Sequence, residues 1–357
     1  MDNRSAAFVA SRLASAQGTL KSMTNKSMNG LNAYYDAPVL ITGGAGFIGS
    51  NLARRLVSLG AKVTVVDNMD AKQGGNKYNL HDIKNNLQIK NRDIRQSHAL
   101  DELAKRNNFL FNLASQTCHS ASMQNPVADA ESNISAQLNI LESCRRHNND
   151  IKIVFTSTRQ VYGRPCYLPV DELHRICPTD INAVHKRAGE LYHEMYNKLY
   201  GIRSCVLRLT NTYGPGMRIK DDRQNFMGIW FRLLLEGKTI NIFGDGQQIR
   251  DINYIDDCVD ALLLAGASDR SDGNVYNIGG RQPINLHDLA RLMIKFTKKG
   301  SIKFIPFPED RKKIDIGDYV SDYSMISNDL HWYPKVHLEQ GVQKTVEFYK
   351  KHFMRYL

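Results

Sequence analysis

The chain has 357 residues, 42% of them hydrophobic and 23% charged, which excludes a disordered, collagen-like or coiled-coil protein. Its net charge is +11, from 47 Lys and Arg against 36 Asp and Glu, but the cations are scattered. A nucleic-acid partner needs them gathered into one patch, so none is expected. No apolar run approaches the ~18 residues of a membrane-spanning helix.

Residues 1–36 hold Asp2 and Asp36 as their only acids, among Ser, Ala, Asn, Lys and Arg. An organelle transit signal, an early start codon and a loosely packed extension all fit that composition. The longest apolar run, residues 6–10, is too short for a secretory core. From residue 38 the pattern becomes regular. Residues 38–42 form an apolar strand ending in glycines. Residues 47–59 carry apolar side chains at 48, 52, 56 and 59, a helical spacing that Gly60 stops. A β-branched strand over 62–66 follows. Further strands are expected at 110–113, 151–155 and 204–207, with helices at 127–146 and 183–199 between them. Apolar strands alternating with helices predict an α/β fold, a doubly wound parallel sheet covered on both faces. Gly and Asp turns after residue 215 predict a smaller C-terminal lobe. The expected division is an extension over 1–36, a sheet domain over 37–215 and a lobe over 216–357, parts of which return to the sheet. The last helix, near 338–355, ends in cations that complement its dipole.

Six cysteines stand apart, with no C-x2-C pair. They read as reduced thiols of a cytoplasmic protein, and no metal site is expected.

The segment from Gly43 to Gly49 joins the first strand to the first helix. Gly43 permits a tight turn, Gly46 lets a pyrophosphate approach the backbone, and Gly49 lets helix and strand pack closely. The helix N-terminus then offers unpaired N–H groups to the anion. Asp67 ends the second strand, about 20 residues on, where a carboxylate accepts hydrogen bonds from ribose hydroxyls. It repels a 2′-phosphate, so NAD is expected rather than NADP.

With these pieces, later motifs complete a pattern. They are RDI at 92–94, NLASQ at 112–116, TSTRQVYG at 156–163, HKRAGE at 185–190, LRLTNTYGP at 207–215 and IFGDGQQIRDINYIDD at 242–257. The chain resembles the extended short-chain dehydrogenase/reductase family, specifically its nucleotide-sugar epimerases and dehydratases, over roughly residues 38–350. The resemblance implies a Rossmann-type sheet binding NAD and a C-terminal lobe binding a nucleotide diphosphate sugar. It also implies a homodimer built on the helices near 127–146 and 183–199. By the same resemblance Phe47, Ile48 and Asn68 flank the cofactor. Asp93 and Ile94 meet adenine, and Leu113, Ala114 and Ser115 lie along the cofactor. Lys186 holds the nicotinamide ribose, and Thr158 hydrogen-bonds the reacting sugar hydroxyl. Asn211 and Arg250 meet the nucleotide diphosphate, and Cys118 borders the sugar.

The resemblance also exposes departures. The family's catalytic pair is Tyr-x-x-x-Lys, and four residues before Lys186 stands Asn182. An amide has no titratable proton, so another group must act as base if the site works. His185, the neighbours Cys118 and His119, and a water held by Thr158 and Asn182 are the alternatives. Dehydratases of the family carry Asp-Glu after the Thr, where this chain has Arg159 and Gln160. Asp315 stands where the family often has an Arg, which disfavours a diphosphate contact there. The expected activity is epimerisation at C4. A keto-sugar-releasing oxidase or atypical dehydratase, and a binding protein with little turnover, are the rivals.

Overall fold

The computed structural model describes residues 30–221 and 225–357. The readings of the leader cover residues 1–36, of which 1–29 lie outside the described residues; Tyr34 is buried and donates from its hydroxyl to the Leu263 carbonyl at 2.6 Å. Seven strands make the main sheet. They are β1 (Pro38–Thr42), β2 (Lys62–Asp67), β3 (Leu87–Asn91), β4 (Phe109–Asn112), β5 (Lys152–Thr158), β6 (Ser204–Leu209) and β7 (Val275–Ile278). Their order is β7-β6-β5-β4-β1-β2-β3, and every neighbouring pair is parallel. In register, Val39 faces Val63 on one side and Phe109 on the other.

Parallel strands need crossovers, and helices supply them on both faces. The principal helices are α1 (Phe47–Ser58), α2 (Ala136–His147), α3 (Ile181–Tyr200), α4 (Ile255–Ala267) and α5 (Leu338–His352). Successive side chains of a strand point to opposite faces. Val39 and Ile41 accordingly join one apolar cluster with Leu52, Leu56 and Leu262. Leu40 joins another with Leu110, Ile140 and Ile153. Burial on both faces explains why β1 and β5 read as continuous apolar runs.

Two differences from the sequence reading affect the site. The helix expected over 127–146 is three pieces: Pro126–Ala130, a π-helical turn Glu131–Ser135, and α2. The wide turn accompanies a second role for Asn133, whose Nδ2 donates to the Gln116 carbonyl at 3.0 Å. The second difference is one of detail: the expected return of the C-terminal lobe to the sheet is made by β7, an edge strand beside β6 that the sequence reading did not place. No helix among the described residues is long and apolar enough to cross a membrane.

Candidate active site

One cavity of about 320 Å3 runs along the C-terminal ends of β1, β2, β4 and β5. Ligands bind at this edge in open parallel sheets. Its floor is the turn between β1 and α1, where Gly43, Gly46, Phe47, Ile48 and Gly49 line the wall. Gly43 has φ +70°, and a Cβ on it would stand 2.8 Å from the Ala114 nitrogen. A Cβ on Gly49 would meet the Gly43 carbonyl oxygen at 2.3 Å. The strand and helix therefore approach as closely as only glycine permits. Gly46 caps α1 without a side chain, leaving the first amides of the helix for an anion.

Asp67 ends β2 with its carboxylate fixed by two amides: Ala45 donates to Oδ2 at 2.9 Å and Met69 to Oδ1 at 2.8 Å. Burial raises its pKa, and these two N–H groups oppose the rise. Asp93 accepts from Arg95 at 2.6 Å and from Asn68 Nδ2 at 3.2 Å. Chiefly through the Arg95 bond, its carboxyl is lowered to about 2. Asn68, Asp93, Ile94 and Arg95 line the same end of the cavity. The end of β4 is held by Thr42, whose Oγ1 accepts from the amides of Leu113 and Ala114 at 3.2 Å each. Leu113, Ala114 and Ser115 form the wall there.

At the other end, α3 delivers two residues. Lys186 donates from Nζ to the Thr156 carbonyl at 3.0 Å and lies 4.9 Å from the Phe155 ring centre. Burial lowers its ammonium to about 8. Asn182, one turn earlier, lines the cavity, but its Nδ2 is committed. It donates to the Gln116 carbonyl at 2.9 Å and to Asp129 Oδ2 at 3.1 Å. The amide leaves only a carbonyl oxygen for the cavity. Thr158 ends β5 and faces the cavity, its Oγ1 accepting from the Gln160 amide at 3.2 Å.

The structure separates the remaining expected residues. Asn211 lines the cavity, whereas Cys118 and Arg250 do not. Cys118 is buried with its Sγ 3.4 Å from Ser120 Oγ, and the cavity wall is formed by its neighbours Thr117 and His119. Arg250 turns to Asp315, donating from Nη2 at 2.9 Å, and to the Gly317 carbonyl at 2.6 Å. Asp315 thus neutralises Arg250 rather than merely lacking a cation's role. His185 is also turned aside, with Nδ1 2.8 Å from Asp129 Oδ1.

Arg159 is the cation that faces the cavity beside Thr158. Its Nη1 donates to Asn211 Oδ1 at 3.1 Å, and its guanidinium lies 5.3 Å from the Tyr319 ring centre. Burial lowers its pKa to about 10, and the charge of Arg250 adds to the effect. Sequence reasoning took Arg159 only as a missing acid. The signal available was its place next to the expected reacting Thr.

Residues 39–279 match the NAD dependent epimerase/dehydratase family. The chain belongs to that family. It is 33% identical over 323 residues to a putative UDP-glucose 4-epimerase of Methanocaldococcus jannaschii, covering 87% of this chain and 98% of that protein. It is 30% identical over 338 residues to the CDP-paratose 2-epimerase of Salmonella typhi, with 87% and 98% covered. Among solved structures, the UDP-glucose 4-epimerase of Thermotoga maritima with UDP-glucose superposes with a TM-score of 0.81 at 31% identity. That match covers 88% of this chain and 99% of that one. Membership makes the protein an enzyme family's member with a Rossmann-type fold and NAD dependence. The glycine turn, its uncapped helix amides and the two-point anchoring of Asp67 fit that cofactor on their own geometry.

Proposed function

We propose that this protein is an NAD-dependent nucleotide-sugar epimerase that inverts C4 of the sugar through a transient 4-keto form. One observation carries the reading. The glycine turn that suits a pyrophosphate opens into the same cavity as Thr158, Arg159 and Asn211. The names of the similar proteins, which are those of epimerases acting on UDP- and CDP-linked sugars, support it.

In this reading the amides of Phe47, Ile48 and Gly49 hold the pyrophosphate, and Asp67 accepts from the adenosine ribose. Asp93 and Ile94 meet the adenine, and Lys186 holds the nicotinamide ribose. Bound there, NAD supplies a reversible hydride acceptor. Thr158 orients the sugar hydroxyl. Arg159, whose planar fork suits phosphate oxygens, takes with Asn211 the diphosphate role that the resemblance gives to Arg250. No carboxylic acid follows Thr158, which speaks against elimination of water. The test begins with denaturing the purified protein and identifying the released cofactor. UDP- and CDP-linked hexoses are then incubated with fresh enzyme and the products separated. Interconversion of a C4 epimer pair is expected. Accumulation of a keto sugar alone, or no turnover with bound NAD, would replace this reading with one of its rivals.

The enzyme acts as a homodimer in this reading. Helix α3 exposes Val184, Leu191, Met195 and Leu199 at 47%, 44%, 47% and 60%, all on one side of the helix. Met123 and Val127 are exposed as well. Light scattering at micromolar concentration should give a dimer, and Leu191→Glu with Met195→Glu a monomer. The six free cysteines suit a cytoplasmic setting.

A further inference from the structure

A sugar hydroxyl that becomes a ketone must give up a proton, and Asn182 cannot take it. The cavity wall holds an imidazole that can. His119 opens the short helix His119–Gln124, and its side chain, 32% exposed, lines the cavity with Thr117, Thr158 and Asn182. Its Nδ1 stands 3.0 Å from Asp180 Oδ2, and the Asp180 side chain is fully buried. Asp180 is itself immobilised. Its Oδ1 accepts from the Ala183 amide at 2.8 Å as the cap of α3. Its Oδ2 also accepts from Gln160 Nε2 at 3.2 Å, two residues past Thr158. Burial pushes the Asp180 carboxyl up, but His119 and these donors bring it below its ordinary value. The carboxylate lies within ion-pair distance of Nδ1, though no aligned hydrogen bond joins them in this structure, and it favours the tautomer with its proton on that nitrogen, which makes Nε2, on the opposite edge of the ring, the acceptor.

The other groups near Thr158 are engaged elsewhere or unsuited. His185 is turned to Asp129, and Cys118 is off the wall. Lys186 is bound to the Thr156 carbonyl, and Arg159 remains a cation. The carboxylates on the wall, Asp67 at the end of β2 and Asp70 and Asp93 in the loops after β2 and β3, stand at the adenosine end.

We infer that His119, oriented by Asp180, is the proton acceptor and donor of this site, doing by imidazole what the family does by phenol. This rests on the epimerase reading above. In the oxidation the O–H bond of the sugar breaks and its proton moves to Nε2. The C–H bond of the same carbon breaks, its hydride leaves to the nicotinamide cofactor, and the carbon–oxygen double bond forms. For inversion the keto sugar must turn its other face to the cofactor; the hydride then returns to that face of the carbon as the carbon–oxygen double bond becomes single, and the proton returns from Nε2 to the oxygen. Asp180 is a positioning residue. The charged groups at this end are Asp180, Asp129, Lys186 and Arg159.

Three proteins test this: wild type, His119→Gln and Asp180→Asn, the last keeping a side chain able to cap α3. Each is first denatured to measure its bound NAD, and equal content certifies the fold and the cofactor end. His119→Gln should lower kcat for the epimerised UDP-hexose by about 10²–10⁴-fold, the usual span of a lost general base. It should also abolish the fall in rate on the acidic side of the pH profile. Asp180→Asn should move that limb toward lower pH, which a purely structural role would not do. A readout independent of turnover is carbethoxylation of His119 by diethyl pyrocarbonate, followed by mass spectrometry. UDP-glucose should protect His119 in the wild type. Undiminished modification with UDP-glucose bound, or a His119→Gln kcat within about threefold of wild type with an unchanged acidic limb, would overturn the assignment while leaving the epimerase reading standing. A wild-type enzyme that inverts no UDP- or CDP-hexose would remove that reading, and this assignment with it.

Discussion

The two ends of the cavity are built on different plans. At the cofactor end the chain presents its backbone: the turn from Gly43 to Gly49, the uncapped start of α1, and Asp67 held by the amides of Ala45 and Met69. At the sugar end it presents side chains that other side chains hold. Asn182 is fixed by Asp129, Arg159 by Asn211 and Tyr319, and Asp180 by Gln160 and the cap of α3. Backbone recognition demands glycines at fixed spacings, which a sequence displays. Side-chain recognition from separate elements allows substitution as long as partners change together, so a sequence displays it less plainly.

Lys186 is where the two plans meet, and its loss should have the largest effect. Lys186→Ala should lower single-turnover reduction of bound NAD by about 10²-fold or more, the scale of a lost preorganised charge. The same residue sets the alkaline limb of the pH profile. Burial lowers its ammonium to about 8, so the group is charged below that pH and loses its charge as pH rises through it. Activity should fall above about pH 8, and Lys186→Arg, which cannot deprotonate there, should keep the limb flat. A wild-type profile level to pH 10 would detach Lys186 from both ends.

The second effect belongs to the cofactor end alone. Calorimetry should find NAD at least tenfold tighter than NADP, about 1.4 kcal/mol, and Asp67→Asn should erase most of that gap. Equal affinities in the wild type would remove the charge argument.

The smallest effect belongs to the sugar end. Asn182→Ala leaves the buried Asp129 one donor short, so thermal unfolding should show a loss of about 1–3 kcal/mol. Turnover should fall only modestly. Asn182→Tyr should lower the rate of sugar oxidation, because the ring displaces the amide from Gln116 and Asp129. A large gain in rate would mean that this site lacks only a phenol, and would break the contrast between the two ends.

The same contrast explains what was legible beforehand. Gly43, Gly49 and Asp67 follow from spacing along one strand–turn–helix unit, and β1, β2 and β5 follow from unbroken apolar runs. Cys118 and His119 were equal candidates in the sequence, because spacing alone cannot say which of two neighbours turns inward. The extended backbone of Cys118, φ −87° and ψ 105°, sends the adjacent side chains opposite ways, and His119 receives the cavity. Arg250 looked available until Asp315, 65 residues away, paired with it. The π turn at 131–135 depends on distant partners and leaves no local pattern, and the return of the C-terminal lobe to the sheet was expected without the strand that makes it, β7.

Strand β7 has a consequence for how the chain is made. All six residues of β6 are buried, and one of its edges is covered by Val275–Ile278, paired from Val206 to Leu209. A growing polypeptide therefore leaves the edge of fully buried β6 unpaired until residue 278 has left the ribosome. An open, apolar edge is a template for wrong pairing. Chains halted near residue 215 should collect in aggregates rather than accumulate as a nucleotide-binding fragment. Residues on either side of position 215 thus depend on each other to complete one sheet.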